Sequence, residues 1–197
     1  MTLPYQPGYN DLANALNMMG FLKGDGYGYA LDKNATRAEG LTVMGKLMGE
    51  EKNVNAFTGT HPFSDVPEWA KKWVGYAYQQ GWTAGIGEGL FGANLDIKPH
   101  EYMTFLLKAM GYTSKDFTWD KSLEFAQSIG LLRQSEVNMM KNSAFKRDNM
   151  VYMSYYVLEG RCKDGRTLAE RLVEQGAVSE AALTAARGTV TRARPGG

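Results

Sequence analysis

The feature that most constrains this chain is a pattern it repeats: an amphipathic helix, a glycine-punctuated loop, then a second amphipathic helix. It is clearest in residues 61–112, HPFSDVPEWAKKWVGYAYQQGWTAGIGEGLFGANLDIKPHEYMTFLLKAMGY. Over 67–80, Ala70, Trp73, Val74 and Ala77 keep helical spacing while charge and amide take the other face. Pro67 suits a first helical position, since its missing N–H has no intrahelical partner there anyway. Gly81 suits a helix stop, because glycine tolerates positive φ. A loop containing Gly85, Gly87 and Gly89 follows. From Pro99 a second helix is predicted, with Tyr102, Phe105, Leu106, Ala109 and Met110 as its apolar stripe.

Aligning Gly20 with Gly81 reveals an earlier copy. A helix over 10–19 leads to Gly24, Gly26 and Gly28, then to Thr36-Arg37-Ala38-Glu39 and a helix carrying Val43, Met44, Leu47 and Met48. A polar linker over 49–60 separates the two copies. A third copy has Leu123, Ala126 and Ile129 on one helix face, Gly130 at its end, a loop over 131–144 without glycine, and a helix from about Lys146 with Met150, Met153, Val157 and Leu158. Hairpins that cannot bury their own stripes are expected to pack on one another. The expected organisation is therefore repeats over 1–52, 53–113 and 114–160. A C-terminal helical extension over 161–187 follows, with helices at 167–175 and, capped by Ser179, at 180–187. A loose, disordered tail over 188–197 ends the chain. The fold class expected is all-α.

Several functions are disfavoured by what the chain lacks. Its net charge of +1 gives no bulk attraction for nucleic acid or an anionic membrane. One cysteine, Cys162, rules out an intramolecular disulfide and a cysteine-rich metal site. No apolar run approaches the ~20 residues that span a bilayer, and MTLPYQPGYN has no signal-peptide pattern. His61 and His100 lie in unrelated places, and no nucleophile elbow or metal-binding histidine pair occurs. Neither catalysis, nor a cofactor, nor a metal is expected. Eleven tyrosines and four tryptophans suit either a sugar-contacting surface or simple packing.

The segments FSDVPEWA (63–70), GIGEGLFG (85–92) and TRAE (36–39), in a threefold repeat, resemble the S-layer homology domain over about residues 9–158. That resemblance implies three repeats in a pseudo-threefold, three-pronged helical bundle. It implies a secreted protein of the bacterial cell surface, possible self-assembly of a longer chain, and a partner: pyruvylated secondary cell-wall polysaccharide, bound in grooves between repeats. The implied ligand-binding residues are Arg37 and Arg147, facing the acidic sugar, with Asp65, Trp69, Gly85 and Gly87 completing the groove beside Arg37. Trp82 and Tyr27, at loop starts, are further stacking candidates.

The residues also carry plainer readings. Thr36 and Glu39 make a capping box. Arg37 is not needed for one, and a cation at a helix N-terminus opposes the macrodipole, yet beside free N–H groups it can clamp an anion. The glycines can serve turns, and Asp65 can serve as a turn or cap residue beside a core tryptophan. The second copy has Pro99 where the first has Arg37, and the third has Asn149 where the first has Glu39. Two other classes of function remain open: a helical repeat that binds protein, and the anchor of a wall-active enzyme.

Overall fold

The structure is a computed structural model that describes residues 8–24 and 26–195. The protein is all-α: among the described residues there are ten α-helices and no strand. They are α1 (Asn10–Met18), α2 (Arg37–Leu47), α3 (Glu51–Ala56), α4 (Lys71–Gln79), α5 (Pro99–Ala109), α6 (Ser122–Ser128), α7 (Gln134–Lys141), α8 (Arg147–Tyr156), α9 (Leu168–Glu174) and α10 (Glu180–Gly188).

Local chemistry sets the helix ends. The Thr36 hydroxyl accepts from the Glu39 N–H at 3.3 Å, while the Glu39 carboxylate accepts from the Thr36 N–H at 3.0 Å. Thr167 and Glu170 repeat this box at α9, and Ser179 caps α10. At the other end of α4, Gly81 takes φ +71° and Trp82 N–H bonds back to Ala77 O at 2.8 Å, a Schellman closure.

α2, α5 and α8 pack on one another in all three pairings and form the centre. Each also carries an outer helix from the next helix pair: α4 lies on α2, α6 on α5 and α1 on α8. The relation is cyclic: the outer helix of each pair packs chiefly on the inner helix of the preceding pair, so each inner stripe is covered by a neighbour and not by its own partner. Leu41, Met44, Leu106, Met103 and Met150, on these three helices, are essentially inaccessible, each contributing roughly 1.5–3 kcal/mol by burial. The Tyr102 hydroxyl donates to Ser154 Oγ at 2.6 Å and Ser154 donates to Met150 O at 2.6 Å, so this polar crossing between α5 and α8 is satisfied.

The joints between pairs are backbone hydrogen bonds. Arg37 N–H donates to Leu95 O at 2.9 Å and Ala38 N–H to Ala93 O at 3.1 Å, so the loop before α5 satisfies the orphan donors at the start of α2. One step round the bundle, Arg147 N–H donates to Lys33 O at 2.8 Å and Asp148 N–H to Leu31 O at 3.1 Å. At α5 the corresponding first donor does not exist, because Pro99 stands there.

Four local expectations differ. Pro67 is extended (ψ 155°) and precedes a 3-10 turn, Glu68–Ala70, so the α-helix begins only at Lys71. The linker 49–60 contains α3, held by burial of Val54. The loop 131–144 contains α7, which buries Val137 and Met140 one turn apart. Finally, the tail is ordered through Pro195: Arg192 pairs with Asp11 at 2.7 Å and Arg194 with Glu136 at 2.7 Å. Low hydrophobicity hid those two ion pairs, whose partners lie far away in sequence. Residues 196–197, and the start of the first repeat over 1–7, lie outside the described residues.

Candidate functional site

A cleft of about 310 Å³ opens where the N-terminus of α2 meets the loop and helix of the next pair. Its lining includes Arg37, Trp82, Gly85, Glu101, Lys108 and Trp119. Arg37 enters from the first turn of α2. Its Nε donates to Phe91 O at 3.1 Å, its Nη1 lies 3.5 Å from the Glu101 carboxylate, and its guanidinium stands 5.3 Å from the Phe91 ring centre and 5.6 Å from that of Phe105. Nη2 has no hydrogen-bond partner among the described residues. With its side chain only 14% exposed, burial pulls the guanidinium's pKa down and Glu101 opposes that. Arginine stays charged regardless.

Lys108, in the last turn of α5, is the second cation. Its ammonium donates to Trp82 O at 2.7 Å. Burial lowers its pKa, and the positive charge of Arg37 lowers it further. Two half-buried cations that repel one another face a cleft with one carboxylate, and that favours an anion. Trp119 is 60% exposed at the cleft edge. It is steadied by the His100 ring at 5.0 Å and by Thr104, whose hydroxyl lies 3.3 Å from Trp119 O.

Asp65 stands behind this surface. Its carboxylate accepts from the N–H groups of Phe91 (2.8 Å), Gly92 (2.7 Å) and Ala93 (3.2 Å). Burial pushes its pKa up, but those three bonds outweigh burial and hold it below the usual range. The same short segment turns the carbonyls of Phe91 and Ala93 towards α2, where Arg37 and the Ala38 N–H receive them. Asp65 therefore positions the strut on which Arg37 rests, and it is not among the residues lining the cleft. Gly85 lines it, and only glycine fits there: a Cβ would lie 2.4 Å from the Phe63 ring and 2.5 Å from Leu90 O. Gly87 (φ +103°) shapes the tight turn that Leu90 closes, away from the lining. Trp69 is 55% exposed and also lies outside it. Of the six residues singled out from sequence, the cleft gathers Arg37 and Gly85.

Arg147 occupies the matching position at the start of α8. Its Nη1 donates to Glu39 at 3.0 Å. The two arginines thus obey one rule: each pairs with the capping-box glutamate of the next helix pair, Arg37 with Glu101 and Arg147 with Glu39. The third such pair would join position 99 to position 149. Proline stands at one and asparagine at the other, so both halves of that ion pair are replaced together. The departures noted in the second and third copies are therefore two ends of a single missing contact.

Sequence reasoning missed Lys108, Trp119 and the role of Glu101. One signal was present: nine residues beyond Arg37 and beyond Pro99 stand Lys46 and Lys108. A larger cleft of about 660 Å³ borders Lys46, Glu51 and Gln175. There the Lys46 ammonium is already met by Gly20 O at 3.2 Å and Glu51 at 3.3 Å, which leaves less demand for a ligand.

No protein-family profile matches the chain. The chain is similar to a protein of Thermoanaerobacter kivui named cell surface protein, 30% identical over 135 residues. The match covers 66% of this chain and 17% of that protein, so the chain corresponds to a small part of its relative's length. No helix among the described residues is long and apolar enough to cross a membrane.

Proposed function

We propose that this chain is a non-catalytic anchoring module of a bacterial cell-surface protein, and that the cleft at Arg37 binds an acidic cell-wall glycan of the pyruvylated type. The observation that carries this reading is the pair of cations, Arg37 and Lys108, lining one cleft with the exposed face of Trp119 at its edge. A ketal-linked carboxylate offers the negative charge that this pair lacks, and the sugar ring offers the C–H face that an indole stacks against. The likeness to a cell surface protein supports the setting. The likeness of FSDVPEWA, GIGEGLFG and TRAE to the S-layer homology pattern supports the ligand class.

A buried charge-assisted contact contributes roughly 1.5–3 kcal/mol, which corresponds to about 10- to 150-fold in affinity. Arg37→Ala should lose at least tenfold in retention on purified cell walls, with helix content and melting temperature checked alongside. Walls stripped chemically of pyruvate should retain the native chain no better than they retain the variant. Equal retention on stripped and intact walls would reject the glycan.

A further inference from the structure

The C-terminal segment carries a different kind of site, independent of the anchoring reading. Arg194 donates through Nε and Nη2 to the two carboxylate oxygens of Glu136, each at 2.7 Å, and Nη2 also reaches Leu131 O at 2.7 Å. Its guanidinium sits 4.8 Å from the centre of the Tyr156 ring. Two residues earlier, Arg192 grips both oxygens of Asp11 at 2.7 Å, bonds Gly8 O, and lies 5.0 Å from the Tyr9 ring. Tyr9 packs on Tyr152 at 4.9 Å and Tyr152 on Tyr156 at 4.7 Å, so the rings form one row. Arg133 closes the far end by donating to the carbonyls of Arg194 and Pro195 at 2.9 and 2.8 Å.

Comparison of the three helix pairs shows why a cation is wanted there. In the first pair Lys46 donates to Gly20 O, and in the second Lys108 donates to Trp82 O, each at the glycine-closed end of the outer helix. The corresponding residue of α8 is Tyr156, which has no charge to offer. Glu136, meanwhile, is 1% exposed and needs a positive partner. The guanidinium that meets both demands arrives from a segment more than fifty residues away in the chain.

We propose that the row of Tyr9, Tyr152 and Tyr156, flanked by Asp11 and Glu136, is a binding groove for an arginine-x-arginine peptide, and that residues 192–194 are its tethered occupant. Two carboxylates spaced for two guanidiniums, each guanidinium also lying over a ring, discriminate this peptide from an apolar or lysine-bearing one.

The test uses the full-length chain and a labelled synthetic peptide of residues 188–195, GTVTRARP, read by fluorescence anisotropy. In the native chain the tethered tail competes at an effective concentration on the order of millimolar, so micromolar peptide should not bind. Arg192→Ala/Arg194→Ala should open the groove and bind the peptide. A peptide with both arginines replaced by alanine should bind at least tenfold more weakly, and adding Glu136→Gln to the variant should cost at least tenfold. If the double variant is unfolded alone, the peptide should restore its helical signal and the alanine peptide should not. The proposal is overturned if native chain and variant bind the peptide alike, if both peptides behave alike, or if the variant neither binds the peptide nor is refolded by it.

Discussion

Asp65→Ala probes the strut behind the cleft. The carboxylate is the acceptor for three backbone N–H groups, on Phe91, Gly92 and Ala93, all in buried residues. Each orphaned donor costs roughly 1–3 kcal/mol, and water entering the vacated space recovers part of that. The net expected loss is about 3–5 kcal/mol, or on the order of 6–20 °C in melting temperature for a chain of this size. The sign of the pH dependence follows from the depressed carboxyl. Its contribution is fully present above the unfolded value of about 3.9 and disappears as pH falls through the lower folded value. Native and variant stabilities should therefore differ at pH 7, and the gap should begin to narrow only as pH falls below about 4. Urea denaturation followed by tryptophan fluorescence at pH 7 and pH 3 measures both. The variant's amides at 91–93 should also exchange faster, and glycan retention should fall because Arg37 loses its seat on Phe91 O. Equal urea midpoints at pH 7, or a gap that does not narrow at all between pH 7 and pH 3, would refute the assignment of Asp65 as the loop's charged anchor.

Restoring the missing cross-pair ion pair is a second test. Pro99→Arg with Asn149→Glu should show a coupling of about 0.3–1 kcal/mol in a double-mutant cycle, the size of a half-exposed pair; zero coupling would break the positional equivalence with Arg37–Glu101 and Arg147–Glu39. In α2, a Cβ at position 45 would lie 2.5 Å from the Trp73 ring. Gly45→Ala should therefore lower stability by up to about 2 kcal/mol, overpacking against α4 (about 1–3 kcal/mol) exceeding the roughly 1 kcal/mol gain in helix propensity; a raised melting temperature would contradict it. Cys162 is buried and burial pushes its thiol pKa up, so iodoacetamide should label it only upon unfolding. Prompt labelling of the native chain would count against that packing.

Sequence alone determined eight of the ten described helices, most of their ends and the recurrence of the motif. Thr36 with Glu39, Ser179, and the glycine at position 81 act within a few residues of themselves, so their effects are written locally. The stripes on α2, α5 and α8 likewise announce that these helices must be covered on several sides. What only the tertiary structure decided is which partner each polar residue meets. Asp65 could have been a helix cap or a ligand contact; it became the anchor of a loop 26–28 residues away, because the N–H groups of Phe91, Gly92 and Ala93 converge on it once α4 packs on α2. Arg37's ion-pair partner, Glu101, came into view only when α5 was placed beside α2. The tail looked soluble and loose until Glu136, buried by the placement of α7, created a demand for Arg194. Capping and periodicity are short-range and survive any arrangement of the helices, whereas a buried charge takes its meaning from neighbours that only folding supplies.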